Sequence, residues 1–560
     1  MGKDILLKGL LLIPLIFIAI FLIYPLLNIL VFSFSASNPL AEIYSSLLSN
    51  QNLFANSFFQ ASLSTLLAFL VGFPAAYIMA NYDFPGRKFI NALSLLPFVM
   101  PSILVALSFV IILGYNGWIN NFLMSIFNLS DPPIKVLYGI YGIVIGHAFY
   151  NFPIFMRFVA TAWERTSEGM DNAAKTLGAN RFQVFLKITL PQLLQSILIS
   201  SIIVFIYCFM SFAIVLTLGG VQFKTVEVGI FYALSRNLDF STAASLALLQ
   251  FIFLIAMALI YSKIYKSFAL MSFNKKTAIH ASGKFNKYEE VLIPKTDITS
   301  IKKKLNPAKP MHFLMAIFLV LISISVLLPV AALLFFSMFS GTSLPLKGFQ
   351  DILFSAKTSL AGTTPIIAVF NSLFFAVLAS LLSVTIAILL SYRHKNIADS
   401  PASMLIVSIM AISSITIAMG YLLAFGSGIW PLIVIGHSLL ALPFTYKMIS
   451  NTLNSIPMQQ LDSATSLGAG KFYTAVKVEL PQIKKAIITA ACFSFAVSLG
   501  ELAITLMLYD GKFATMPVYI MRYIGTYNLS AAAAMGLLLI AVAGASFYII
   551  ERIGEIRVVQ

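Results

Sequence analysis

Charge is what this 560-residue chain has least of: charged residues make up 10% of it, against 59% hydrophobic. A soluble chain of that length needs far more charge to cover its surface, so the soluble globular class is excluded. Cysteine is scarce too. Cys208 and Cys492 each fall inside an apolar stretch, which excludes a disulfide framework and a thiolate metal site. The Walker A pattern G-x-x-x-x-G-K-[ST] is missing. The Gly-Lys pairs at Gly2, Gly283, Gly470 and Gly511 are followed by Asp4, Phe285, Phe472 and Phe513, never by Ser or Thr. No catalytic constellation or metal-ligand cluster stands out, so an enzyme is not expected.

Present instead are apolar runs longer than the ~20 residues that cross a bilayer as helix. They predict spans near 10–32, 58–80, 92–113, 138–158, 193–217 and 243–262, then near 313–338, 366–391, 402–424, 430–448, 483–508 and 528–550. The first run is too long for a signal-peptide core and has no small-residue cleavage site, so it is read as a retained helix. The expected fold is an all-α polytopic membrane protein of about twelve helices. Residues 1–262 would form one domain and 312–560 a second, joined by a polar cytoplasmic linker over 263–311.

The net charge of +16 suggests nucleic acid, but the positions of the basic residues do not. With a cytoplasmic N-terminus and twelve spans, 29 of the Lys and Arg residues fall inside and 7 outside. That is positive-inside topology, with both termini cytoplasmic.

The two domains repeat one another. An offset of 290 residues carries Val144-Ile145-Gly146-His147 onto Val434-Ile435-Gly436-His437, Pro153 onto Pro443, and Thr225 onto Thr515. Upstream, Asn56-Ser57 matches Asn371-Ser372 at an offset of 315, which places about 25 extra residues in the first half, around Gly117–Tyr138. Six spans per half give both halves one orientation, a parallel repeat.

The most specific repeat is polar. Asn172-Ala173-Ala174, Gly178 and Leu190-Pro191 recur as Asp462-Ser463-Ala464, Gly468 and Leu480-Pro481, with the Gly-to-Pro spacing preserved. Each copy reads as a short helix, a glycine turn, and a second helix leading into a membrane span at proline. Between them Phe182, Val184, Phe185 and Ile188, like Phe472, Tyr473, Val476 and Val478, place an apolar stripe on a water-facing loop. Such a stripe must bury itself against the membrane base or a partner.

This pair resembles the "EAA" loops of permease subunits of binding-protein-dependent type I ABC importers. The resemblance spans nearly the whole chain, in a fused two-half form. It implies that the loops dock two copies of an ABC ATPase subunit, which carries the ATP and Mg, while this chain binds no cofactor. It also implies a solute-binding protein at the outer face and a bacterial inner-membrane location. One chain supplies both halves of the pore, so homodimerisation is not required. The family's leading Glu is Asn172 in the first copy and Asp462 in the second.

Glu501 and its repeat mate Ser211 are the candidate pathway residues. A carboxylate at membrane depth is expensive and faces a cavity or a partner. His147 and His437, at equivalent positions, suit structural hydrogen bonding better than metal ligation. The segment Cys208–Leu234 and Ser498–Glu501 resemble thiamine and ferric-iron permeases; the tail Phe513–Tyr527 resembles the thiamine ones. The rival class is an ion-coupled secondary transporter, which calls for inverted repeats or broken helices with several midplane charges.

Overall fold

The computed structural model describes residues 12–34, 39–94, 96–164, 166, 168–220, 223–280, 303–306, 308–339, 346–354, 362–393, 409 and 412–555. Helix dominates, as it must where lipid offers backbone groups no hydrogen-bond partner. The first half contains α1 (Ile13–Ser33), α2 (Gln51–Asn81), α3 (Ser102–Leu113), α4 (Trp118–Phe127), α5 (Ile140–Glu164), α6 (Arg181–Phe209), α7 (Ala213–Leu218), α8 (Val226–Ser235) and α9 (Phe240–His280). The second contains α10 (Pro310–Met338), α11 (Pro365–Arg393), α12 (Ser414–Phe425), α13 (Trp430–Asn454), α14 (Lys484–Gly500), α15 (Ala503–Leu508), α16 (Met516–Gly525) and α17 (Leu529–Glu555).

Each half is built on a triangle of mutually packed helices, α2–α5–α6 in the first and α11–α13–α14 in the second. Small residues let these backbones approach. The buried face of α2 carries Ser57, Ala61, Ser64, Ala68, Gly72 and Ala76, and that of α11 carries Ala368, Ser372, Ala376, Ala379, Ser383 and Ala387. At Gly72 a Cβ would lie 2.6 Å from the Phe152 carbonyl oxygen. The first helix of each half leaves its own triangle. Helix α1 packs on α12, with Phe17, Ile18 and Leu22 in one buried cluster with Ile417 and Tyr421, while α10 packs on α3 and α17. The halves are therefore interlocked by exchanged helices.

Ten described helices are long and apolar enough to span, or eleven if the pair Lys471–Gln482 and Lys484–Gly500, bent by 70°, is one. The expected span 402–424 is described only in part, as the twelve-residue α12, because residues 402–408, 410 and 411 lie outside the described set. Three other expected spans are not continuous. The one at 92–113 is divided ahead of α3, whose N-cap is Pro101; those at 193–217 and 483–508 break at Ser211 and at Glu501. Helix α9 continues to His280, into the segment expected as a linker, since Lys263, Lys266, Ala269, Leu270, Met271, Lys275, Lys276 and Ala278 all favour helix. Farther along, Tyr82–Asp83 and Lys303–Lys304 pair as two short parallel strands. Helix α4 occupies the segment where the first half was expected to be longer; in the second half only Gly426–Ile429 separates α12 from α13.

Candidate functional site

The two polar loops have the same local structure from end to end. Short helices Glu168–Thr176 and Met458–Ser466 lead to glycine turns at Gly178 (φ +89°) and Gly468 (φ +83°). In each, a six-to-one bond closes the helix: the Ala179 N–H donates to the Ala174 carbonyl at 3.0 Å, and that of Ala469 to Ala464 at 3.0 Å. This is the Schellman arrangement, which requires a left-handed residue and so selects glycine. Nothing lies within 4 Å of a Cβ built on either glycine. Backbone conformation alone imposes the choice.

A four-residue helix follows, then a π-turn at Phe185–Thr189 or Ala475–Glu479, directly ahead of Leu190-Pro191 or Leu480-Pro481. Proline lacks an N–H and its ring crowds the carbonyl four residues back, and the wider turn relieves both. Asn172, Ala173, Asp462 and Ser463 are exposed, Ala174, Ala464, Leu190 and Leu480 half-buried, and Pro191 and Pro481 exposed.

The apolar stripe divides. Val184 is buried and Phe185 stacks on Trp163, which seats the loop on its own bundle. Phe182 and Tyr473 stay exposed. Leu177 and Leu467, repeat mates beside the glycines, are 88% and 89% exposed. Sequence reasoning singled out the glycines and not these leucines. Two large apolar residues held out at equivalent turn positions call for a partner surface.

The second pair of equivalent positions lies in the bundle. Sequence placed Glu501 within an apolar helix; the structure puts it in extended backbone between α14 and α15. Its carboxylate accepts from the N–H groups of Ala503 (3.0 Å), Ile504 (2.9 Å) and Thr505 (3.4 Å), capping the start of α15, and lies 3.3 Å from His437 Nε2. His437 also meets Ser498 Oγ at 2.8 Å and Thr505 Oγ1 at 3.1 Å. In the first half Ser211 lies at the equivalent break between α6 and α7, and compensation comes from the other side. Gln60 Nε2 donates to the Cys208 carbonyl at 2.7 Å, capping the end of α6. His147 meets Ser64 Oγ at 3.3 Å through Nδ1. Both histidines hold hydrogen bonds within their bundles.

Past the Glu501 break, Leu506 and Met507 of α15 join Leu234, Ser235, Phe240, Leu422, Gly426 and Ser427 in lining a cavity of about 350 Å³ between the two halves. A larger cavity of about 680 Å³ opens near the first loop, lined among others by Arg157, Thr161, Gln192 and Gln195.

Comparison with known proteins accounts for the duplication. The family model described as "Binding-protein-dependent transport system inner membrane component" matches twice, over residues 68–268 and 383–560. The thiamine transport system permease protein ThiP of Escherichia coli is 25% identical over 514 residues, covering 89% of this chain and 88% of its own length. That of Haemophilus influenzae is 26% identical over 505 residues, covering 88% and 86%. The sulfate transport system permease protein CysT of Salmonella typhimurium is 31% identical over 192 residues, covering 34% of this chain and 67% of its own length. With one copy of the family in each half, this chain belongs to the binding-protein-dependent transport system inner membrane components, as a fused two-domain permease and not an enzyme.

Proposed function

We propose that the chain is the membrane subunit of an ATP-driven importer that receives thiamine from a solute-binding protein and releases it into the cytoplasm. The observation that carries this reading is the duplicated loop, with Leu177 and Leu467 held out beside left-handed glycines. Two such loops suit two ATPase copies, which would bind ATP and Mg outside this chain. The docking residues would be those of the repeated motif, from Asn172 to Pro191 and from Asp462 to Pro481. Thiamine is preferred to ferric iron because the relatives covering most of the chain are thiamine permeases. Positive-inside bias supports cytoplasmic termini. The division into 1–262, a linker at 263–311 and 312–560 is retained as the domain plan, with the first helices exchanged.

Transport would proceed by a population shift between inward- and outward-open arrangements of the halves, biased by nucleotide on the partner. Ser211 and Glu501 mark the equivalent breaks along the pathway. Glu501 would act by holding α15, and with it Leu506 and Met507, at the cavity between the halves. An ion-coupled carrier would have no use for paired docking loops.

The purified chain should hydrolyse no ATP, and with its ATPase and binding protein in proteoliposomes it should take up thiamine only when ATP is supplied. Hydrolysis by the chain alone, with contaminating ATPases excluded, would refute the division of labour. ATP-independent uptake driven by an ion gradient would favour the carrier.

A further inference from the structure

The pathway reading uses one buried acid, Glu501, and both of its oxygens are engaged within the chain. A second buried acid lies in the first half. Glu227, in the first turn of α8, is fully buried. One carboxyl oxygen accepts from Gln250 Nε2 of α9, and Ser413, at the start of α12 in the other half, also bears on the carboxyl. The remaining oxygen, Oε2, accepts no hydrogen bond of ordinary length among the described residues, and Gln250 Oε1 is likewise unpartnered. The basic residues flanking α8 lie elsewhere: Lys224 Nζ sits 5.0 Å and the Arg236 guanidinium 4.5 Å from the ring centre of Tyr232.

The repeat isolates the acid further. Asn56 Nδ2 donates to the Lys224 carbonyl and Ser57 Oγ accepts from the Val226 N–H; Asn371 Nδ2 donates to the Ala514 carbonyl and Ser372 Oγ accepts from the Met516 N–H. The scaffold that holds the start of α8 is thus duplicated at α16. The acid is not, because Pro517 stands at the position of Glu227. A role in building the half would be needed twice; a role toward one small solute is needed once.

Location agrees. Helix α8 of the first half packs on α12 of the second. Two turns farther along the same helix, Leu234 and Ser235 line the cavity between the halves. A carboxylate in a bilayer is costly unless a cation or a helix N-terminus faces it. The N-terminus of α8 supplies part of that compensation, and a cationic solute would supply the rest.

We propose that Glu227 is a gated cation-binding residue of the translocation pathway, covered where the halves meet and uncovered when they part. The class of ligand is an organic cation small enough for the cavity, and the proposal rests on the import reading above. When α8 and α12 separate, the free oxygen faces the solute, while Gln250 and the helix start keep the carboxylate oriented.

The test uses the full chain with its ATPase and binding protein in proteoliposomes. In a chain with Cys208→Ala and Cys492→Ala, Glu227→Cys should react with a trimethylammonium-ethyl methanethiosulfonate in one of two states, nucleotide-free or vanadate-trapped, and be protected in the other. Reaction in neither state overturns the proposal. In parallel, Glu227→Gln should cut thiamine uptake about tenfold or more, with Glu227→Asp retaining most of it. Undiminished uptake by Glu227→Gln overturns the proposal, as does a lowered melting temperature with equal loss in both variants, which would mark a purely structural acid. If the unsubstituted complex hydrolyses ATP but takes up no thiamine, the thiamine reading fails. The labelling then still decides whether Glu227 lies on the pathway.

Discussion

Gly178→Val or Gly468→Val should abolish most ATP-dependent uptake while leaving the membrane bundle folded. Both glycines hold φ near +90° at the close of a Schellman turn, where a β-branched residue costs about 1–3 kcal/mol of strain. Neither site is crowded, since nothing lies within 4 Å of an added Cβ. The strain therefore falls on the turn and not on packing. A loop displaced by that energy occupies its docked geometry about 5- to 150-fold less often, so ATPase recovery by pull-down and uptake should fall together. Asn tolerates the left-handed region, and Gly178→Asn or Gly468→Asn should restore both. Full uptake by the valine variants would remove the turn from the coupling.

Glu501→Ala should be the most damaging single change in the bundle. It strips the cap from three N–H groups at the start of α15 and removes the acid beside His437. Leaving buried donors without their acceptor costs about 1–3 kcal/mol each. Melting temperature and uptake should both drop, because α15 carries Leu506 and Met507 to the cavity between the halves. Glu501→Gln keeps one acceptor oxygen and the side-chain shape, so it should fall between Ala and the native residue on both measures. If Glu501 acted only by attracting a cationic solute, Gln and Ala would reduce uptake equally and neither would change the melting temperature.

The contrast between these sites explains what the sequence made legible. The two polar loops could be read because their geometry is local. A left-handed turn selects Gly178, a lost N–H selects a π-turn before Pro191, and the 290-residue repeat shows both twice. Helical content and the two-half plan were legible from hydropathy for the same reason. The breaks at Ser211 and Glu501 were not, because each lies inside a run whose average hydropathy reads as one span. What makes a break tolerable there is tertiary. Gln60 reaches a carbonyl 148 residues away, and His437 sits 3.3 Å from an acid 64 positions later in the chain. Helix exchange was hidden likewise, since nothing in the composition of α1 says that it packs on α12. Glu227 was visible as a lone acid in Val226-Glu227-Val228-Gly229-Ile230, but its meaning depends on Gln250 and on the opposite half.

The central claim is that one chain presents two equivalent docking loops to two ATPase subunits. Native mass spectrometry of the detergent-solubilised complex, purified through a tag on this chain, tests it most directly. The mass should correspond to one copy of this chain with two copies of the ATPase, and Leu177→Asp combined with Leu467→Asp should leave the chain alone. A single ATPase copy, or two copies of this chain in the complex, would contradict it.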